Sequence, residues 1–220
     1  MRGIWVVWNN REQDPKNYKN FKEIYLSITF DNKYLPKNDK EVFDYCKKIK
    51  QANKIPYIVI VSGYITDKEY LNRVRKYSKE ANIMLDYIRY IKSDYKNIFK
   101  TKQITNRVKL AKEYCDKNNK KLKLAVFLFP NAFFVGQNYF SLNRLGTICP
   151  MIYPEDCFKG NGKKENILTW IALYFHRLLF PKCEPIIQAW HRKTEYLKKD
   201  MQILKDNYSI FRWIFYKKIK

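Results

Sequence analysis

Glycine is scarce in this chain, with six among 220 residues, and histidine is scarcer, with two. No GxGxxG or GxxxxGK[ST] follows the first predicted strand, so the backbone cradles that hold dinucleotides and nucleotide phosphates have no support. The five cysteines, Cys46, Cys115, Cys149, Cys157 and Cys183, are odd in number, widely spaced and without a CxxC pair. That pattern excludes an obvious disulfide framework and a zinc site of familiar ligand spacing, and it predicts reduced, mostly buried thiols. No apolar run reaches the length of a membrane span, and the first predicted strand begins at Gly3, which leaves no room for a signal peptide. The expectation is a cytoplasmic protein, unless a leader was removed before this numbering begins. Internal repeats, low-complexity tracts, linkers, helix-turn-helix, zinc-finger and RNA-recognition motifs are also missing.

Acidic residues are in deficit, 21 Asp and Glu against 44 Lys and Arg, for a net charge of +23. Such a charge favours polyanions in general, whether nucleic acid, anionic lipid or an acidic polymer. The basic residues are scattered along predicted helices, as in "YCKKIKQANK" and "YLNRVRKYSKE", which is the pattern of a solvated outer face. Nucleic acid is therefore a partner suggested by charge only.

What the chain has in quantity is apolar and aromatic side chains, 46% and 17% of residues. Its length suits one well-packed domain spanning 1–220. Eight short β-rich runs punctuate it: Gly3 to Trp8, Glu23 to Phe30, Pro56 to Ser62, Ile83 to Tyr87, Leu122 to Phe129, Thr147 to Tyr153, Glu184 to Trp190 and Ile210 to Tyr216. Helical periodicity predicts helices from about Asp39 to Asn53, Asp67 to Ala81, Thr101 to Asn118, Lys163 to Leu179 and Thr194 to Asn207. Asn38 with Glu41 and Thr66 with Glu69 have capping-box spacing, and Asp14 with Pro15 opens a short helix in the first crossover. A second short helix is expected in "NYFSLNRLG". Strands alternating with helices, and apolar on both faces, argue for parallel β/α units buried on both sides. The fold class expected is α/β, a single compact (β/α)8 TIM-type barrel with a short first crossover and no substantial final helix. An open doubly wound sheet is the rival.

In such a barrel the reacting groups stand at the C-terminal strand ends. Those ends hold Trp8, Asp31, Asp86 with Arg89, Tyr153 with Glu155 and Asp156, Gln188 with Trp190 and His191, and Trp213. Rings that stack on sugar C–H faces, amides that take hydroxyls and carboxylates for the chemistry are what a glycan site needs. Capping of the barrel core accounts for any one ring equally well. Asp86 is the candidate catalytic carboxylate, because alternation sets it on the same side of the fourth strand as Met84. Arg89 follows as its charge partner or a substrate grip. An Asp–Arg ion pair of purely structural use is the competing reading. His176 lies within the predicted helix "TWIALYFHRLL" and reads as a packing or interfacial residue rather than a catalytic base. A Cys157–His191 pair has nothing visible to activate the thiol.

"LDYIRY" resembles the "fDYIRFP" motif of a glycoside hydrolase-like family with a TIM-barrel fold. "VGQNYFSL" (Val135 to Leu142) is similar to that family's "GQ" segment, "ICPMIYPEDC" to its "isPMvYPsHY" and "PIIQAW" to its "PWLQdF", in the same order along about two thirds of the chain. Ile91 departs from the family's proline, Glu155 and Asp156 from its serine and histidine, and Ala189 from its acidic residue. The resemblance implies a barrel that binds and hydrolyses a polysaccharide or glycan, an anionic one being suited to the charge. It implies two carboxyl groups, ~5 Å apart for retention or ~6.5 to 9.5 Å for inversion. Asp86 is one; Glu155 is taken first as the other, with Asp156 and Asp31 as alternatives. Arg89, Tyr153, Gln188 and Trp190 position the sugar, with Trp8, Asp31, Asp156, His191 and Trp213 completing the substrate site. No metal or cofactor is implied. Two other classes stay open: a barrel that binds glycans without cleaving them, and a basic protein that binds nucleic acid or another polyanion.

Overall fold

The computed structural model describes residues 2–28, 36, 38–61, 65–86, 100–128, 131–152, 167–188, 194–204 and 208–211. Eight parallel strands pair in chain order. They are β1 (Gly3–Val7), β2 (Glu23–Ser27), β3 (Ile55–Val61), β4 (Asn82–Asp86), β5 (Leu122–Phe127), β6 (Thr147–Ile152), β7 (Ile186–Gln188) and β8 (Ser209–Phe211). The sheet curls until β8 returns to β1, with Gly3, Ile4 and Trp5 opposite Ser209, Ile210 and Phe211. Between the strands lie helices α1 (Asp39–Gln51), α2 (Asp67–Tyr77), α3 (Thr101–Lys117), α4 (Asn131–Phe134), α5 (Tyr139–Asn143), α6 (Ile167–Leu179) and α7 (Thr194–Leu204).

The expected start residues cap their helices, and Glu69 pairs with Arg73. Asn38 Oδ1 accepts from the Glu41 amide at 3.0 Å, Thr66 Oγ1 from the Glu69 amide at 3.3 Å, and Asp14 Oδ1 from the Lys16 amide at 2.9 Å. The short first crossover holds two 3-10 turns, Trp8–Asn10 and Pro15–Asn17. α4 was not anticipated. β7 begins at Ile186, two residues after its expected start. The expected tails of several strands, and residues 212–220, lie outside the described residues. Scarce glycine has a visible substitute: Asn53 and Asn119 take positive φ, 56° and 53°, just after α1 and α3. The next amides, of Lys54 and Lys120, then reach back to the carbonyls of Ile49 and Cys115 at 3.1 and 2.8 Å. Asparagine is the side chain that best tolerates this left-handed stop after glycine.

Alternation along the strands separates two packed faces. Outward-facing Ile4, Ile24, Ile58, Ile83, Leu124 and Ile148 join the helices in one large cluster. Inward-facing Trp5, Tyr25, Tyr57, Val59, Met84, Ala125, Cys149, Met151 and Ile186 form a second. Gly3 is required at the inner face, because a Cβ there would lie 2.3 Å from Cε2 of Tyr25. The four described cysteines are free and buried. Burial pushes the thiols of Cys46 and Cys115 up to about 12 and that of Cys183 to about 11, so they stay protonated.

Below the inner cluster, at the N-terminal ends of the strands, sits a buried ionic group. Lys123 of β5, 2% exposed, places Nζ 2.6 Å from Glu23 Oε2 and also pairs with Glu184 just before β7. Its ammonium donates to the Tyr25 hydroxyl at 2.8 Å and lies 4.7 Å from the Tyr57 ring centroid. Arg2 adds a bridge to Glu184 at 2.7 Å and a longer one to Glu23 at 3.4 Å. Two cations thus balance two carboxylates, and both carboxylates push the Tyr25 hydroxyl upward, behind burial as the main cause.

α6 buries Leu173, His176 and the following Phe180. The His176 ring stands edge-on to Tyr139 with centroids 4.3 Å apart, and neither ring nitrogen has a hydrogen-bond partner among the described residues. Burial lowers its pKa from 6.5 to about 4.

Two measurements test this packing. Lys123→Met strands two buried carboxylates and should cost about 3–5 kcal/mol in urea unfolding, whereas adding Glu23→Gln and Glu184→Gln to it should recover most of the loss. His176 is neutral when folded and takes up its proton more readily unfolded, so its contribution is full above about pH 6.5 and fades as pH falls toward about 4. On the order of 2–3 kcal/mol should be lost across that window, and His176→Phe should remove that part of the pH dependence of melting.

Candidate functional site

The register of β3 and β4 carries the sequence argument for Asp86 into three dimensions. Tyr57, Val59 and Val61 lie opposite Asn82, Met84 and Asp86. Since Val59 and Met84 belong to the inner cluster, Asp86 continues the inward row at the C-terminal end of β4, and it is 2% exposed. The opposite end of the interior is occupied by the Lys123 group and by the rings of Trp5, Tyr25 and Tyr57. Tyr25 and Tyr57 lie 4.9 Å apart and Trp5 6.3 Å from Tyr25. A ligand seeking the interior must therefore approach from the Asp86 end.

One inward group near that end escaped the sequence reading. Ser27, the last residue of β2, is opposite Val59, which is in turn opposite Met84, one layer below Asp86. Its Oγ is buried and without a hydrogen-bond partner among the described residues. A lone serine in "EIYLSITF" gives no sequence signal of this; only the register places it inward. Lys123 also escaped, although a lysine in the middle of "LKLAVFLF" is a legible anomaly once both faces of the strand are known to be buried.

The stretch that follows β5 works on its end. Gln137, 4% exposed, accepts from the Phe127 amide through Oε1 at 2.8 Å, and the Tyr139 hydroxyl donates to the Phe127 carbonyl. Both backbone groups of the last β5 residue are thereby satisfied where the strand pairing ceases. Phe127 packs on the inner cluster. Gln137 and Tyr139 thus fix the strand that neighbours β4.

The predicted site residues fall into four groups. Asp86 is at the inner mouth. Trp8 follows β1, is 3% exposed and joins the outer cluster, its ring covered by the Arg11 guanidinium at 3.8 Å and met edge-on by Tyr45 at 5.9 Å. It is not brought to the inward row with Asp86. Gln188 ends β7 opposite Phe211. Asp31, Arg89, Tyr153, Glu155, Asp156, Trp190, His191 and Trp213 lie outside the described residues, as does Cys157. Among the described residues no group of three His, Cys, Asp or Glu is placed to hold a metal ion.

No protein-family model matches the sequence, and no curated protein matches it. Solved structures do match its fold. The chain is similar to a hyperthermostable endo-1,4-β-D-mannanase from Thermotoga petrophila RKU-1, at 11% identity and a TM-score of 0.62 over 96% of this chain and 87% of that one. It is similar to a chitinase from Chromobacterium violaceum ATCC 12472, at 10% identity and a TM-score of 0.59 over 86% and 69% of the two chains. A third is the spore cortex-lytic enzyme SleL of Bacillus megaterium QM B1551, at 13% identity and a TM-score of 0.55, where 86% of this chain spans 50% of that one. The likeness extends to a D-psicose 3-epimerase, a xylose isomerase domain protein and a phospho-2-dehydro-3-deoxyheptonate aldolase, of which this chain spans 59%. At such identities the likeness is one of architecture: an α/β protein with a curled parallel sheet of the TIM-barrel kind.

Proposed function

We propose that the chain is a single (β/α)8 TIM-type barrel domain over residues 1–220 that binds a polysaccharide or glycan and hydrolyses it with two carboxyl groups. The observation that carries this reading is the Asp86 carboxylate, buried on the inward row at the C-terminal end of β4, where barrel enzymes assemble their chemistry. Asp86 acts as nucleophile or acid/base, and Glu155 is its partner. Arg89, Tyr153, Gln188 and Trp190 position the sugar, and Asp31, Asp156, His191 and Trp213 complete the cleft. Trp8 contributes through Arg11, which its ring holds. Support comes also from the names of the similar barrels, which include a chitinase, a mannanase and β-1,4-galactanases. The mechanism calls on no cofactor.

A barrel that handles sugars without hydrolysis is the second reading, favoured by the epimerase and isomerase barrels of equal likeness. Hydrolysis of a polysaccharide panel covering chitin, mannan, galactan and peptidoglycan separates the two. Asp86→Asn should lower turnover of the responsive substrate by about 10²–10⁴-fold while leaving the melting temperature nearly unchanged. Unchanged turnover would sink the Asp86 assignment, and glycan binding with no cleavage by the unaltered protein would favour the second reading.

A further inference from the structure

α6 is apolar on the side it buries and apolar on the side it does not. Ile171, Tyr174, Phe175, Leu178 and Leu179 follow one another at helical spacings of three, four, seven and eight, forming one outward stripe. The last four are between 57 and 62% exposed. Phe140 of α5, 65% exposed, packs on Phe180 just after α6, ring centroids 5.5 Å apart. A contiguous apolar patch of this kind marks an interaction surface.

The surroundings of the stripe are basic. α6 carries no acidic residue. Arg177 in its last turn, the exposed Lys182 just after it and the exposed Arg144 one turn after Phe140 make no ion pair among the described residues. Two copies meeting through this stripe would bring these cations together on top of a net charge of +23 each, which opposes self-association. An anionic lipid surface complements both properties, since aromatic and aliphatic side chains enter the acyl boundary while arginine and lysine meet the headgroups. No helix among the described residues is long and apolar enough to cross a membrane, so the contact lies in the interface plane.

From this apolar stripe and its basic flank we infer that the α6 face docks the protein peripherally on an anionic lipid bilayer. The inference is independent of the hydrolase reading. It is tested by flotation of the full chain with vesicles of phosphatidylcholine alone and with about a third phosphatidylglycerol. Binding is expected to the anionic vesicles only. Phe175→Ser combined with Leu178→Ser retains the whole charge, so it should weaken binding about tenfold or more while circular dichroism stays unchanged. Arg177→Gln with Lys182→Gln should weaken it as well, more at low salt than at high. The inference is overturned if the anionic vesicles are not bound, or if the serine pair binds them like the parent, which would leave general electrostatics as the cause. A dimer seen by light scattering that the serine pair dissociates would also overturn it, by giving the stripe to a second copy.

Discussion

The Lys123 ammonium is the contact on which the rest of the interior depends. A curled parallel sheet is buried on both faces, so a polar group on its inner face can be satisfied only by other inner groups. Lys123 meets that demand by joining β5 to Glu23 at the head of β2 and to Glu184 before β7, with Arg2 closing the outer side of both carboxylates. Its value is one of specification more than of stabilisation, because desolvating four charges offsets most of what their attraction gains. A slip of one residue in β5 would swing Lys123 to the helix-covered face, turn Leu122 and Leu124 inward, and leave Glu23 and Glu184 with Arg2 alone. The ion group therefore sets register across three strands that are far apart in the chain.

That floor gives the interior a direction. Charges and three aromatic rings fill the N-terminal end, and β4 delivers Asp86 to the other. Strand ends are where ladder pairing stops and backbone groups lose partners, and the protein answers this at β5 with side chains. Gln137 and Tyr139 take the amide and carbonyl of Phe127, and the Tyr139 ring is in turn backed by His176. A histidine whose ring nitrogens have no hydrogen-bond partner among the described residues, and which burial keeps neutral, serves here as an aromatic wedge, the packing half of its reading from the sequence.

The strand order and the inward setting of Asp86 were legible because period-two alternation needs only local sequence and a count of strands. Capping pairs were legible for the same reason, since Asn38 and Thr66 act within one helical turn. Ser27 and the Lys123 group were not legible as sites, because their meaning depends on register between strands distant in the chain. Glu23 and Lys123 are separated by 100 residues, and nothing in either stretch names the other. Trp8 shows a local contact that residue type alone does not reveal. Arg11, three residues on, folds back over its ring and donates to its carbonyl.

The outward stripe of α6 extends the same lesson to the surface. "TWIALYFHRLL" reads as a packing helix, and half of that reading holds, since Leu173 and His176 are buried. Periodicity shows how many faces of a helix are apolar; which of them is covered is decided by elements distant in the chain. Here the second apolar face is left outward with Arg177 and Lys182 beside it. A chain of net charge +23 has little reason to hide such a face against another copy of itself. The scattered lysines, weak evidence for any one polyanion when read along the chain, thus gain a direction from a surface where charge and apolar area meet.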